Sequence, residues 1–429
     1  MRDGVARARG FGGILRQRDF RLFWLGETTS EIGNSLAVVA MSLLVVSVLD
    51  ASTFTVSLLT AFTFLPWLLV GLPAGAWIDR LPSRTVMIVT DLAAAVLYAS
   101  IPVAAWLDVL TIEQVLAVAF LTGTVNVFFD TAYQVQLPCL VSADDLVEGN
   151  VKLQASVSVA RFGGSSAGGF LVRAMGAATA LVLNALSFLV SAACLLAVRA
   201  PQERPARRAG PRRRLWKDVA EGMRFVAGDR YLRPLTIWAA LANFGLTGYD
   251  ALIVVFLVRD VGVGAEAVGL LMAVGGVAAV AGALVAGRVV DRFGTARGLL
   301  LNSTFVIPFV LLVPLTGPGP GLVLYVAGVA TCVAGIAVTN VIVASFRQAY
   351  APPGMLGRVT ATTRFVLNGV YPVGALVAGA LGTWLGVRAT LWIMLGIVAL
   401  AGACLLTRTF RGRRDLPLTC RLPHAGRRK

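Results

Sequence analysis

The sequence predicts an all-α integral membrane protein with twelve transmembrane helices in two six-helix bundles. Hydrophobic residues make up 57% of the 429 residues, and the mean hydropathy is +0.79. Charged residues make up only 14% of the chain, against roughly 25% in soluble domains. Apolar runs of about 20 residues, the length that crosses a bilayer, recur along almost the whole chain. Any activity must therefore lie within the membrane.

The apolar runs define the predicted helices in order. The predicted spans are residues 21–49, 54–77, 85–106, 112–137, 151–174, 177–199, 232–258, 267–290, 298–316, 321–346, 359–384 and 387–407. A basic N-terminal tail, 1–20, and a basic C-terminal tail, 408–429, flank a 21–199 bundle and a 232–407 bundle. The linker between the bundles, 200–231, is rich in arginine and proline, and its second part has the spacing of an amphipathic helix on the inner membrane surface.

Arginines alternate between the loops, which fixes the predicted orientation. Both tails and the linker are basic, and so are the loops that carry Arg80 and Arg84, Arg288, Arg292 and Arg297, and Arg347 and Arg358. The loops at Asp50, at 108–113 and at 317–321 carry no Lys or Arg. The positive-inside rule then places both termini in the cytoplasm, with the chain in the cell inner membrane. The net charge of +16 belongs to this pattern, so we expect no nucleic-acid partner.

A short motif occurs once in each half. Gly75, Asp79 and Arg80 follow the second span, and the same residue types recur after the eighth span at Gly287, Asp291 and Arg292. A repeat of six spans is typical of secondary transporters. The chain has no phosphate-binding GxxxxGK[ST] loop, which excludes ATP hydrolysis by this chain. It also has no metal-binding motif and suggests no cofactor.

Polar residues follow helical spacing within several spans. Glu27 and Glu31 lie one turn apart in the first span, and a carboxyl group at membrane depth costs roughly 2.5–3.5 kcal/mol unless it faces a cavity or a partner. The stripes therefore predict a polar path. Its candidate residues in four spans are Asn34, Asn126, Asp130, Tyr133, Gln134, Asn243, Thr247, Asp250 and Thr331, and the eleventh span adds Arg364, Asn368 and Tyr371.

Both motifs and the six-plus-six hydropathy resemble the major facilitator superfamily. Three further segments, beginning at Arg18, Leu137 and Met355, resemble its bacterial enterobactin-exporter and macrolide-efflux branch. The resemblance implies that the first, fourth, seventh and tenth spans line a central cavity. Two features depart from superfamily antiporters: serine replaces a fifth-span proline within 163–169, and Ala119 stands where the fourth span often carries arginine.

The charged residues have alternative roles. Glu27, Glu31, Arg161 and Asp130 are candidates for proton coupling. Glu27, and to a lesser extent the deeper Glu31, is alternatively a solvated residue at headgroup level. Arg161 is predicted to pair with Glu31 or Asp130, either as a static brace or as a proton-dependent switch.

Within the resemblance, Asp130 alternatively braces Arg84 or Arg80. The resemblance further implies that Asp79 closes the cytoplasmic side against the eleventh span near Gly357, and that Asp291 does the same against the fifth span near Asn150. Asp250 and Arg364 are either substrate contacts or structural pairs, and Asp91 in the third span is interpreted as structural.

The expected function is export of amphipathic small molecules, such as drugs, antibiotics, siderophores or other secondary metabolites, by proton antiport. Aromatic residues on or beside the polar helices favour such substrates over sugars, whose sites need more amide and hydroxyl groups. The expected protein is a monomer and not an enzyme. Proton-coupled import of a small organic solute is the first alternative, and a non-transporting receptor or scaffold is the second.

Overall fold

The computed structural model describes residues 14–78, 81–141, 146–199, 215–350 and 356–417, and every regular element within them is helical. The helices are α1 (Arg18–Leu43), α2 (Thr53–Leu69), α3 (Gly71–Ile78), α4 (Ser83–Trp106), α5 (Ile112–Leu140), α6 (Leu146–Met175), α7 (Ala177–Ala197), α8 (Leu215–Gly228), α9 (Leu232–Val255), α10 (Ala265–Phe293), α11 (Thr295–Leu301), α12 (Leu322–Tyr350), α13 (Leu356–Leu385), α14 (Val387–Ala401) and α15 (Arg408–Arg411). Short π-helical or 3-10 segments extend α1, α9, α11 and α14.

Each predicted span corresponds to a helix of the structure. The second span is divided into α2 and α3, and Pro66 lies in the last turn of α2, where a proline removes a backbone donor. The ninth span is α11 with its extensions through Leu315. Ten of the described helices are long and apolar enough to cross a membrane. The predicted all-α membrane fold is confirmed.

Single glycines join consecutive helices at equivalent places in the two halves. Gly176 connects α6 to α7 with φ of 87°, and Gly386 connects α13 to α14 with φ of 83°. This left-handed conformation is accessible to glycine at little cost. The shared connection supports a structural repeat of six spans.

The two halves meet where α6 packs against α10 and α2 packs against α13. At the first contact a Cβ atom on Gly169 would lie 2.8 Å from the Cα atom of Gly269. At the second, a Cβ atom on Gly379 would lie 2.5 Å from the Cβ atom of Ser57. Glycine is therefore needed at both positions for the helices to approach this closely.

The two ends of the described part of the chain lie beside the two ends of the linker, near Arg199 and Tyr231, and we call this side of the molecule the terminal side. Near the N-terminus, Asp19 accepts a hydrogen bond from the backbone N–H of Arg199 at 3.2 Å, so the start of the first span lies beside the end of the sixth. Among the described residues, two ion pairs join the halves on the opposite side. Arg173 pairs with Glu266, and Arg259 pairs with Asp50 at 2.9 Å.

The linker contains the predicted helix, which is α8. It packs against α13 and α9, and Val226 is only 5% exposed, whereas Met223 is 41% exposed. This helix falls within the part of the linker predicted to be helical. Its location on the inner membrane surface stays a prediction.

Candidate functional site

The N-terminal half contains a polar cavity of about 160 Å³ between α1, α2, α4, α5 and α7. The structure brings four of the predicted residues together in its wall: Glu31, Asn34, Asn126 and Asp130. Ser30, Thr63 and Asp91 add polar groups, and the aromatic wall consists of Phe64, Trp67, Phe129 and Phe188. We call this space the carboxylate pocket.

Glu27 lies one helical turn from Glu31 and is buried, with 9% of its surface exposed. It lies within electrostatic range of Glu31, Asp91 and Asp130. This burial does not fit the alternative in which Glu27 is solvated among lipid headgroups. Glu27 instead adds a fourth carboxyl group to the surroundings of the carboxylate pocket.

Asp91 is the residue of this pocket that sequence reasoning missed. Its side chain is 1% exposed and lines the same cavity as Glu31, from a different helix. Ser191 lies beside it, but within the described residues neither carboxyl oxygen forms a hydrogen bond of normal geometry. An acidic residue within an apolar span is itself a signal of function, and the sequence showed that signal.

Asp130 is exposed although it lies ten residues before the end of α5. Its predicted contact with Arg84 is wrong. The Arg84 guanidinium instead donates to the backbone carbonyls of Leu195 and Leu196, each at 2.8 Å, because α7 ends beside it and leaves these acceptors available. The other proposed partner, Arg80, lies outside the described residues.

The remaining fourth-span candidates do not line the carboxylate pocket. Tyr133 stacks on Phe23 with ring centroids 5.4 Å apart, and Gln134 is exposed. Both lie closer to the terminal end of α5 than the pocket does. Gln136, which was not predicted, accepts a hydrogen bond from Ser83 at 2.6 Å and ties α5 to α4.

The C-terminal half contains a second cavity of about 120 Å³, and its charged residue is Arg347. Asn243, Asn340 and Thr363 add polar groups, while the rest of the wall is mostly apolar. We call this space the arginine pocket. Asn243 was predicted from the sequence, but Arg347 had been interpreted only as a basic loop residue.

The other seventh-span candidates lie beyond the arginine pocket. Thr247 is buried with 5% exposure, and Asp250 is exposed. Asp250 lies within electrostatic range of Tyr249 and Tyr325, whose hydroxyl groups are 3.1 Å apart.

The tenth- and eleventh-span candidates are dispersed. Thr331 lines an apolar groove between α10 and α12 rather than either polar pocket. Arg364 is exposed and within electrostatic range of Arg347, and Asn368 is half-buried. Tyr371 packs against Phe64 of α2 with ring centroids 4.9 Å apart, so it joins the two halves.

Part of the gate prediction lies outside the description. Asp79 and Arg80 lie outside the described residues. The side chains of Arg161 and Asn150 and the surroundings of Gly357 are not described either. Gly75 lies in α3.

The second copy of the motif is described. Gly287 has open space where a side chain would project, and Arg292 lies over the Phe293 ring at 5.6 Å from its centroid. Asp291 is exposed, and its backbone carbonyl accepts a hydrogen bond from Arg414 at 3.2 Å. Among the described residues its carboxylate contacts no hydrogen-bond donor, and the predicted closure against the fifth span near Asn150 stays a prediction, because that side chain lies outside the described residues.

The exposed polar residues locate a cleft. Asp130, Asn340 and Arg364 are exposed at positions well inside their helices and toward the terminal side. Charged groups at such depth face water or a partner rather than lipid. Together with the ion pairs on the opposite side, they indicate that the cleft between the halves opens on the terminal side.

The comparisons with known proteins identify the family. A family model described as transmembrane secretion effector, of the major facilitator superfamily, matches residues 12–416. The chain belongs to this family of membrane transporters. Family members and structural neighbours are transporters, so this transporter is not an enzyme.

Two curated proteins are similar to the transporter over most of their length. It is 25% identical over 391 residues to the multidrug efflux pump Tap of Mycolicibacterium fortuitum, covering 86% of this chain and 92% of the pump. It is also 25% identical over 365 residues to the MFS-type transporter y4rN of Sinorhizobium fredii, covering 84% and 87% of the two chains.

Solved structures share the fold at low identity. The nucleoside transporter NupG matches with a TM-score of 0.72 and 13% identity, over 91% of this chain and 98% of that chain. A bacterial homologue of the iron transporter ferroportin, in an inward-facing state, matches with a TM-score of 0.70 and 15% identity, over 91% and 98%. At these identities the similarity shows the fold alone.

Proposed function

We propose that this transporter exports amphipathic small molecules from the cytoplasm in exchange for protons. The two halves rock about a cleft that holds the substrate near the middle of the membrane. The observation that carries this proposal is the carboxylate pocket, which places Glu31, Asp91 and Asp130 around one cavity beside that cleft.

The carboxyl groups serve as the proton carriers. Glu27, Glu31, Asp91 and Asp130 come from three helices, and like charges in one pocket titrate as a group rather than independently. Gain or loss of one proton therefore changes the electrostatic energy of the whole pocket and biases the two conformations differently. Pairing of Arg161 with Glu31 belongs to this proposal as the switch.

The pocket wall favours an amphipathic substrate. Phe64, Trp67 and Phe129 offer aromatic surface next to the carboxyl groups, which suits a molecule that has both an apolar and a polar part. Similarity to a protein named as a multidrug efflux pump supports the same substrate class. Drugs, antibiotics, siderophores and other secondary metabolites fall within it.

The arginine-bearing loops support the direction. They support a cytoplasmic terminal side in a bacterial inner membrane, and in this proposal the cleft faces inward and loads substrate from the cytoplasm. The proposed transporter works as a monomer in the bilayer, and its partners are the substrate and protons.

Transport in everted membrane vesicles tests this proposal. In a panel of labelled amphipathic compounds that includes acidic, neutral and basic members, at least one should accumulate in vesicles containing the transporter when the vesicle lumen is acidic, and a protonophore should abolish the accumulation. Accumulation in right-side-out vesicles instead would establish import. Absence of energised uptake and of counterflow in both preparations would favour a receptor or scaffold.

A further inference from the structure

Arg347 differs from the other arginines whose contacts are described. Arg84 is held by the carbonyls of Leu195 and Leu196, Arg259 by Asp50 and Ala51, and Arg388 by the carbonyls of Pro314 and Thr316 at 3.2 and 3.1 Å. Arg347 is half-buried, and within the described residues its guanidinium has no hydrogen-bond or ion-pair partner. Five N–H donors in a fixed fork are thus available for a ligand.

A second guanidinium reinforces this charge. Arg364 of α13 lies within electrostatic range of Arg347 and, in the described part of the chain, likewise has no ion-pair partner. Two cations that lie close enough to repel each other are stabilised by an anion placed between them. Arginine is the side chain best suited to hold a carboxylate through two parallel hydrogen bonds.

The surrounding groups fit an anionic head group attached to an apolar body. Asn243 and Asn340 line the arginine pocket with Arg347, and the Asn243 amide donates one N–H to the carbonyl of Ala239 at 2.7 Å. Its second N–H remains for a ligand. Trp238, Leu246, Ile307, Ile336 and Leu367 supply apolar wall.

The size of the arginine pocket limits what it holds. Its volume is about 120 Å³, whereas pockets that enclose a drug-sized ligand measure roughly 300–1,000 Å³. It therefore accepts one end of a molecule, and the remainder extends into the cleft toward the carboxylate pocket.

We propose that Arg347 and Arg364, with Asn243 and Asn340, form an anion subsite that binds the carboxylate, or a similar acidic group, of an amphipathic substrate. This inference rests on the proposed function, and it narrows the substrate class to compounds that carry an acidic group. Proton carriage then belongs to the N-terminal half and acid recognition to the C-terminal half.

Matched ligand pairs test the subsite without transport. Purified transporter in phosphatidylcholine nanodiscs is equilibrated with benzoic, 1-naphthylacetic and 9-anthracenecarboxylic acids and with the primary amide of each, and binding to empty nanodiscs is subtracted. At least one acid should bind about tenfold or more tightly than its amide, the size expected for a charge-assisted hydrogen bond. If every acid binds no better than its amide, the subsite is wrong.

Arginine variants test which residues cause the preference for an acid over its amide. Arg347→Gln and Arg364→Gln should each reduce it about tenfold, Arg347→Lys should retain part of it, and Arg233→Gln, an exposed arginine at the start of α9, should leave it unchanged. Retention of the full preference in both glutamine variants would overturn the assignment. Arg347→Lys also distinguishes loss of charge from loss of fold.

An anionic lipid headgroup has the same chemistry, so the assay is repeated in nanodiscs that contain phosphatidylglycerol. Persistence of the acid preference supports a substrate subsite, whereas its disappearance would assign the site to lipid and overturn the proposal. Energised export with equal binding of acids and amides would refute the subsite but leave the proposed function intact. Arginine-dependent acid binding without energised transport would support the subsite and refute the proposed function.

Discussion

The N-terminal and C-terminal halves have equivalent architecture but opposite charge in their pockets. The first pocket is lined by Glu31, Asp91 and Asp130, and the second by Arg347 with neutral amides. Both pockets use the equivalent first and fourth spans of their half, which are α1 and α5 in one and α9 and α12 in the other. A repeated fold has therefore been given two different chemistries. The comparison suggests that a proton and an acidic group are handled in separate halves.

The largest expected effect is that of Glu31→Gln. If the carboxylate pocket carries the proton, this variant should lose protonophore-sensitive accumulation in everted vesicles entirely while still exchanging labelled substrate across the membrane, because exchange needs no net proton movement. Glu113→Gln, which changes an exposed acid at the start of α5, should transport like wild type. Energised export at the wild-type rate by Glu31→Gln would remove the division of labour between the halves.

Asp91→Asn should have the next largest effect. The substitution keeps the shape of the side chain and removes one of the proton sites, so we expect export between that of wild type and that of Glu31→Gln. Thermal stability should not fall, because an unpaired carboxyl group with 1% exposure contributes no described hydrogen bond that the amide would lose. Unchanged export with lowered stability would return Asp91 to a structural role.

Gly169→Ala tests the contact between the halves. A Cβ atom at this position meets the Cα and N atoms of Gly269 at 2.8 and 2.9 Å, and overpacking of this kind costs about 1–3 kcal/mol. Closure on the side opposite the chain ends should weaken, and thiol labelling of a cysteine placed in the cleft should become faster from that side. Gly163→Ala is a matched control on the same helix, because nothing lies within 4 Å of its Cβ position. Equal labelling of both variants would contradict the assignment of this contact as the closed gate.

A buried asparagine in each half gives a smaller contrast. Asn302 donates to the Gly335 carbonyl and to the Thr339 hydroxyl, the latter at 2.8 Å, whereas the Asn184 amide nitrogen has no described acceptor. Asn302→Ala should therefore lower the free energy of unfolding by about 1–3 kcal/mol more than Asn184→Ala, the cost of leaving buried partners unsatisfied. Thermal denaturation in one detergent compares the two variants directly. A larger loss for Asn184→Ala would show that packing, not hydrogen bonding, dominates at both sites.

The sequence predicts the fold and part of the carboxylate pocket because both follow from periodicity within single helices. Apolar runs predicted every span, and helical spacing predicted Glu31, Asn34, Asn126 and Asp130, which the structure brings together. Contacts between helices could not be obtained in this way. Spacing along α5 does not reveal that Arg84 reaches the carbonyls at the end of α7, nor that Thr331 faces an apolar groove. Arg347 was misread because a basic residue near a helix end fits the positive-inside rule whether or not it faces a cavity.

The smallest expected effect concerns the ion pairs on the side opposite the chain ends. Arg173 and Glu266 have side chains 69% and 40% exposed, so water screens their attraction, and Arg173→Gln should change stability by about 1 kcal/mol or less. Arg259 is 33% exposed and its partner Asp50 is 94% exposed, so water screens this ion pair as well, but Arg259 makes a second hydrogen bond: it donates to the Asp50 carboxylate and to the Ala51 carbonyl, each at 2.9 Å. Arg259→Gln should therefore lower the thermal midpoint more than Arg173→Gln does. Because each pair spans the two halves, the same variants should also speed opening on that side in the order of their stability loss. If Arg173→Gln opens faster than Arg259→Gln, the second hydrogen bond of Arg259 is not what sets the strength of this gate.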